Sequence, residues 1–476
     1  MSENLNSLLS QANEARDAGL WKKAAELYHH LAVRVPNTPE PKHNLGLCYL
    51  ALGKPQDTLV WCSKALAQKP QLWQSMVLLG KAHKALDHIV EATTCFQNVL
   101  VIDSNNAEAR LALANLSLNQ FGEPFAAIEW VKPLKTNPDY KMDAQLTTLM
   151  ASLYDRLDWD EPHNAKHLSD SIRDFSSKHL RLPGLQLPTL KKSKNTKRPR
   201  VGLLSPQFFI SPVYFLTIEG WRKISKDCDI VIFNRGHKID LGTAEFKSLS
   251  SEWHDVQYMN ASHLARTIHD SDIDVLYDLG GWMDPVGLTA LSAKPARQQF
   301  KWVGGQSVTT GLTSFDGWIG DANQSPPKFQ SLYSEPLIEV PGSYATYTPP
   351  GYMPKPALHK SSTPCIFANP AKISRPFLAR LRKMPGKKVF IHRQFRFARV
   401  QERILAGLGD DSGGVEFIIP SSHEDALNAL NSHGTMIDTF PYSSGLTARE
   451  ALALGTKIQV LEVGQLFCER HTAYVA

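Results

Sequence analysis

The sequence predicts an α-solenoid of helical repeats followed by an α/β region of two Rossmann-like domains. Three observations support this prediction: a 34-residue period over the first 140 residues, an alternation of short β-branched runs with helical stretches after Arg200, and a proline-rich break between two such series. A length of 476 residues suits two or three domains. Apolar residues at 42% and charged residues at 21% are ordinary globular values, which excludes a wholly disordered chain.

The repeats begin at Leu5, Pro39, Trp73 and Ala107. Small side chains recur at the eighth and twentieth positions of each frame, where two helices of a repeat approach each other. The pattern resembles the tetratricopeptide repeat, and stacked repeats of this kind form a superhelix whose concave surface binds peptides or proteins. The recurring residues at positions 8, 20 and 24 are Ala12, Gly46, Gly80 and Ala114, then Ala24, Thr58, Ala92 and Ala126, then Tyr28, Cys62, Phe96 and Trp130.

The remaining limits follow from changes in composition. Helical spacing continues beyond the repeats, a basic run follows, and prolines between Pro341 and Pro364 separate the two strand series. We therefore predict repeats at 1–140, a helical cap at 141–190, a basic hinge at 191–200, a first Rossmann-like domain at 201–350, a linker at 351–363 and a second Rossmann-like domain at 364–476.

The basic hinge explains the net charge of +6. Lys191–Arg200 holds six basic residues and no acid, and outside it Lys+Arg equals Asp+Glu at 46. A broad nucleic-acid-binding surface is therefore not supported. We interpret the run as a solvated linker between domains; a nuclear-localisation patch and a contact with anionic lipid are the alternatives.

The sequence lacks the signatures of several other classes of protein. No apolar run approaches the 18 residues of a membrane span, the N-terminus shows no secretory signal, and six cysteines form no C-x-x-C pair, so we expect a cytoplasmic protein. The chain has no P-loop and no G-x-S-x-G motif. Asp270-Ser271-Asp272 has the form of a manganese-binding D-x-D but precedes a strand, the wrong end for an α/β site, and no metal ligand is predicted.

A candidate site follows two of the predicted strands. Asn369 and Lys372 come after the strand at 365–368, and a turn that opens a helix comes after the strand at 435–438. Ligands of such sheets bind beyond the carboxyl ends of the strands, and a helix N-terminus favours phosphate. Lysine, helix start and a following acid together predict a nucleotide-diphosphate site. The turn and helix contribute Ser443, Ser444, Gly445, Thr447 and Glu450.

Particular segments resemble the O-GlcNAc-transferase family (glycosyltransferase family 41), which joins tetratricopeptide repeats to a GT-B core. The segments that carry the resemblance are Val201–Ser205, Asp274–Gly281, Lys294–Gln299 with Trp302–Gly304, Tyr333–Glu335 and Ile437–Thr456. The resemblance implies an inverting, metal-independent transfer of GlcNAc or a hexose from a UDP-sugar to protein side chains. It also implies that residues 364–476 bind this nucleotide-sugar donor, that no cofactor is required, and that the repeats recruit the acceptor proteins.

The resemblance also assigns roles to residues. Lys372 matches the family's diphosphate-binding lysine and His254 an active-site histidine, which makes both catalytic candidates. Asn369 matches a neighbouring amide, Thr447 the phosphate-binding turn, and Glu450 the ribose-binding acid, which is usually Asp.

The chain departs from the family at three histidines. Ser211 and Gly445 stand where the family has histidine, and its base-stacking histidine aligns near Ala426, with His423 close by. The chain also ends soon after the nucleotide turn. Two alternatives therefore stay open: a non-catalytic tetratricopeptide scaffold with a degenerate transferase half, and transfer to a non-protein acceptor such as a glycan.

Overall fold

A computed structural model describes residues 2–156, 158–190, 198–305, 308–409 and 414–476. The chain divides into two compact units, Met1–Thr148 and Leu149–Ala476. The first is a helical solenoid and the second holds two parallel sheets, so the predicted fold class is confirmed. Residues 191–197 of the predicted basic hinge lie outside the described residues.

Four helix pairs make up most of the first unit, and each predicted frame begins within the first helix of a pair. Gly80 shows why a small residue is needed there, because a Cβ at this position would lie 2.7 Å from the Cζ atom of Phe96. The ring of Phe96 is 1% exposed and fills the space between the two helices. The eight helices are α1 Ser2–Asp17, α2 Trp21–Arg34, α3 Pro39–Ala51, α4 Pro55–Gln68, α5 Trp73–Ala85, α6 Ile89–Ile102, α7 Ala107–Asn119 and α8 Pro124–Val131.

Two further helices follow, α9 (Lys141–Ser152) and α10 (Asn164–His179). The seven-stranded sheet comes next, in the order β3-β2-β1-β4-β5-β6-β7, with every pair parallel. Its strands are β1 Arg200–Ser205, β2 Asp229–Asn234, β3 Glu252–Asp255, β4 Val275–Asp278, β5 Gln298–Lys301, β6 Gly317–Gly320 and β7 Leu337–Glu339; its helices are α11 Pro212–Ile224, α12 Leu241–Leu249, α13 Ala261–Asp270 and α14 Pro285–Leu291.

The five-stranded sheet repeats this design in the order β10-β9-β8-β11-β12, again with parallel pairs throughout. Its core consists of strand residues packed against α17 and α18. The strands are β8 Cys365–Phe367, β9 Lys388–Ile391, β10 Val415–Ile418, β11 Thr435–Ile437 and β12 Lys457–Gln459; the helices are α15 Arg375–Arg382, α16 Ala398–Leu408, α17 His423–Asn431 and α18 Leu446–Ala453.

Ten strands are predicted from the sequence and all are present, whereas two other strands of the described residues were missed. The predicted strands are 200–205, 229–233, 273–279, 298–303, 316–319, 365–368, 388–392, 415–419, 435–438 and 457–461. β3 and β7 are the edge strands of the first sheet, and their residues are at most half-buried. Both are short: β3 has one apolar residue in four, and β7 has three residues between Pro336 and Pro341. The edge strands β10 and β12 of the second sheet were found because an apolar run continues past the end of each.

A short segment after α9 packs against the second sheet's loops. Tyr154 stacks on Tyr442 with ring centroids 4.9 Å apart, and the buried Arg156 Nη2 lies 2.7 Å from Glu469 Oε1. These contacts fix the loops that surround the site described next. Within the described ranges, no helix has both the length and the apolar character required to cross a bilayer.

Candidate nucleotide-diphosphate site

A cavity of about 580 Å³ opens where the carboxyl ends of the two sheets face each other. Loops after β1 and β5 line one side, and loops after β8, β9, β10 and β11 line the other. Tyr154 and residues near the C-terminal end of the chain complete the wall. The volume falls within the 300–1,000 Å³ typical of small-molecule sites.

Lys372 supplies a cation to this cavity, which Arg393 also lines. It ends a short 3-10 turn that follows β8 and is capped by Asn369. The Asn369 side-chain oxygen accepts a hydrogen bond from the Ala371 backbone N–H at 2.9 Å. The Lys372 ammonium donates to the Ser443 carbonyl at 2.9 Å and lies 4.5 Å from the centre of the Tyr442 ring. Burial lowers the pKa of Lys372 to about 8, with the nearby Asp438 opposing this shift. The amine is therefore mostly protonated at pH 7 and poorly solvated, a state that favours an anionic ligand.

The turn after β11 is held in place from behind. Buried Asp438 accepts a hydrogen bond from the Ser444 backbone N–H at 2.9 Å and another from the Thr472 hydroxyl. The Ser443 hydroxyl accepts from the His471 backbone N–H at 2.8 Å. Both serine side chains are therefore buried behind the turn, while Gly445 and the start of α18 face the cavity.

Glu450 lies one turn into α18, 1% exposed, on the cavity wall. Its Oε1 atom is 2.9 Å from His423 Nε2, and His423 Nδ1 is 2.9 Å from the Tyr352 hydroxyl. Among the described residues, the buried Oε2 atom has no hydrogen-bond partner. An unpaired buried acceptor costs about 1–3 kcal/mol, so this atom is suited to a ligand hydroxyl.

Two imidazoles at the cavity were not predicted, His392 after β9 and His471 near the chain end. Burial lowers the pKa of His392 to about 4, with Arg393 and Lys372 adding to the shift. Burial likewise lowers the pKa of His471 to about 3. Both rings are therefore neutral at physiological pH. Neither histidine stands in a recognisable motif, although the position of His392 directly after a strand was a usable signal.

The structure brings together five of the eight predicted site residues: Asn369, Lys372, Gly445, Thr447 and Glu450 line the cavity. Ser443 and Ser444 lie behind the turn, and each is at most 2% exposed.

His254 is not among the residues of the cavity wall. It lies on edge strand β3, stacks on Phe233 with centroids 5.3 Å apart, and has Nε2 3.4 Å from Glu252 Oε2. Its assignment as a catalytic residue stays a prediction. Ser211, at the family's other histidine position, caps α11 by accepting a hydrogen bond from the Tyr214 backbone N–H. In the described part of the chain, no group of three or more His, Cys, Asp or Glu side chains is placed to hold a metal ion.

Comparison with known proteins agrees with this architecture. No protein-family model matches the chain. A solved mutant of O-GlcNAc transferase from Thermobaculum terrenum superposes with a TM-score of 0.63 at 20% identity, covering 99% of this chain and 85% of that one. This likeness establishes the fold.

Curated relatives share sequence as well. The probable UDP-N-acetylglucosamine–peptide N-acetylglucosaminyltransferase SPINDLY of Solanum lycopersicum is 28% identical over 342 residues, which cover 68% of this chain and 36% of that protein. Its Arabidopsis thaliana counterpart is 27% identical over 308 residues, 60% of this chain and 34% of that protein. The chain thus matches about a third of the length of these relatives. In sequence the chain is similar to these transferases, and its fold, tetratricopeptide repeats followed by a GT-B core, is that of the solved O-GlcNAc transferase.

Proposed function

We propose that the chain is a glycosyltransferase that moves a sugar from a UDP-sugar to a protein side chain. The observation that supports this most directly is the pairing, in one cavity, of the Lys372 ammonium with the unpartnered Glu450 Oε2 atom. The Lys372 ammonium can bind a diphosphate, and the Glu450 Oε2 atom can accept a hydrogen bond from a ribose hydroxyl. The names of the SPINDLY relatives give the same donor class.

Each part of a UDP-sugar has a counterpart in the cavity. The diphosphate would lie between Lys372 and the start of α18, where backbone N–H groups and the helix dipole favour negative charge. Glu450 would accept a hydrogen bond from a ribose hydroxyl. His423 keeps that carboxylate oriented through its bond to Oε1.

The transfer we propose is inverting and needs no metal ion. The acceptor oxygen bonds to the sugar C1 atom while the bond from C1 to the phosphate oxygen breaks, and the acceptor proton passes to the departing UDP or to solvent. Charge grows on the leaving phosphate in the transition state. A preorganised cation such as Lys372 stabilises that charge, and one such contact typically contributes about 10²–10³ in rate.

The repeats supply a route for acceptor recruitment in this proposal. Stacked helix pairs present an extended concave surface, and such surfaces are used to hold peptides. We therefore assign acceptor proteins to the first unit and the nucleotide sugar to the second.

The test is a transfer assay on the full chain. Purified protein is mixed with UDP-GlcNAc or UDP-glucose and with proteins from its own lysate, and acceptors are identified by the mass of the added sugar. Lys372→Met should abolish transfer, whereas Lys383→Met, which changes an exposed lysine at the end of α15, should leave it unchanged. Failure to bind UDP together with failure to modify any protein would contradict the proposal and favour the scaffold alternative.

A further inference from the structure

We propose that His471 is a second phosphate-positioning residue of this site, a neutral imidazole whose Nε2–H donates to the diphosphate beside Lys372. The inference rests on the proposed function and adds a residue to it. The segment that carries His471 follows the last strand, β12, far along the chain from the turn it supports.

The ring lies against the phosphate-binding turn. A Cβ built on Gly445 would be 3.7 Å from the Cγ and Cδ2 atoms of His471, so the imidazole covers the face that glycine leaves bare. The backbone N–H of His471 is tied to the Ser443 hydroxyl at 2.8 Å. The imidazole is thus held at the turn by its own backbone and by van der Waals contact.

Neighbouring groups determine which ring nitrogen carries the proton. Gln324 Nε2 donates to the Phe467 carbonyl at 2.5 Å, and a carbonyl can only accept, so the amide nitrogen is on this side. The same nitrogen lies 3.1 Å from His471 Nδ1, and the Tyr344 hydroxyl lies 3.3 Å from it. Nδ1 therefore accepts, and in a neutral ring the hydrogen resides on Nε2.

The Nε2–H group is available to a ligand. The ring lines the cavity, and within the described residues no protein group is bonded to Nε2. Burial, Lys372 and Arg449 together lower the pKa of His471 to about 3. The Tyr442 ring also lies beside the imidazole, with ring centroids 6.0 Å apart, and burial raises the pKa of Tyr344 to about 12.

A neutral donor is well suited to this position. Charging a second group beside Lys372 would lower the pKa of that lysine further by like-charge repulsion. A neutral N–H instead adds a hydrogen bond to a phosphate oxygen and leaves the lysine protonated. Beside the turn, Lys372 then supplies positive charge and His471 supplies a directed hydrogen bond.

The experiment compares UDP and uridine binding by calorimetry for the full-length wild type, His471→Phe and His471→Gln. Phe keeps a planar ring of similar size without the N–H, and Gln keeps an amide N–H near the Nε2 position. We expect His471→Phe to weaken UDP binding about tenfold, the usual effect of losing one hydrogen bond to a charged group, and to leave uridine binding unchanged. His471→Gln should recover most of the loss. The wild-type advantage over the Phe variant should be constant from pH 6 to pH 8.

Each other outcome overturns the inference. Equal UDP affinity in the wild type and His471→Phe, with Lys372→Met still defective, removes His471 from the site but keeps the proposed function. A similar loss for both ligands in both variants, with a lowered melting temperature of the free protein, assigns His471 a packing role. An advantage that disappears between pH 6 and pH 8 would mean that a charged imidazole binds the phosphate. A wild type that does not bind UDP removes both proposals.

Discussion

UDP affinity should fall as the pH is raised through 8, because Lys372 loses its proton there. Burial in the cavity lowers the pKa of this amine to about 8 from its ordinary value of 10.5. A bound diphosphate stabilises the ammonium, so deprotonation of the free protein must be reversed when UDP binds. The dissociation constant therefore rises with pH once the free lysine is neutral.

The size of the effect follows from the protonated fraction. With a pKa of about 8, this fraction falls from about 0.9 at pH 7 to about 0.1 at pH 9, so the affinity should weaken about tenfold. His392 and His471, whose pKa values are lowered to about 4 and about 3, stay neutral throughout this range. The change can then be assigned to the lysine.

The free protein should show the opposite trend in stability. Between pH 8 and about 10.5 the unfolded chain binds the Lys372 proton more strongly than the folded chain, so this residue makes the free energy of unfolding rise with pH. Lys372→Met should remove that rise. Denaturant unfolding of wild type and variant, at pH 7.5 and at pH 9.5, measures the difference.

The binding assay is calorimetry at pH 7, 8 and 9 and constant ionic strength, with uridine as the ligand that shares the base but lacks phosphate. Lys372→Met should bind UDP weakly at each pH. Lys372→Arg retains its charge over this range, because guanidinium has a pKa above 12, and should give a flat profile. A wild-type affinity for UDP that is equal at pH 7 and pH 9, or an equal decline in the Met variant, would refute the reasoning.

Three further changes test the turn, the ribose contact and the repeats. Asp438→Ala leaves backbone N–H groups of the turn unpaired, and denaturant unfolding should show a loss of about 1–3 kcal/mol; an unchanged midpoint would contradict this role. Glu450→Ala should remove a roughly tenfold preference for UDP over 2′,3′-dideoxy-UDP in competition binding, and a retained preference would place the ribose elsewhere. Gly80→Ala should lower the melting temperature, at a net cost of about 1–3 kcal/mol, because the new Cβ meets Phe96. Gly220→Ala, in open space on α11, should raise it, and equal shifts in the two variants would contradict the packing argument.

Much of the fold could be predicted because its elements leave patterns along the sequence. The 34-residue period places small residues at the closest approach of paired helices, and Gly80 beside Phe96 confirms that reason. Central parallel strands are buried on both faces, which leaves a continuous apolar run in the sequence. The short edge strands β3 and β7 were missed, whereas the edge strands β10 and β12 were found from apolar runs that continue past their ends.

The rule that ligands bind beyond the carboxyl ends of parallel strands located part of the site. Asn369 and Lys372 directly follow β8, and Gly445 and Glu450 follow β11, so the parallel topology alone brings them to one edge. The sequence could not indicate that Ser443 turns inward to hold the chain's last segment, because that depends on a bond to His471.

The sequence by itself determined the helical repeats, most of the strands, and the lysine and glutamate that follow two of those strands, because each leaves a periodic or contiguous pattern along the chain. Only the tertiary structure decided how these groups are completed. It placed His423 on Glu450, Tyr154 on Tyr442, and His471 beside Gly445. These contacts join segments far apart in the chain, and their free energy comes from burial and hydrogen bonds that exist only after both sheets and the segments around them have packed together.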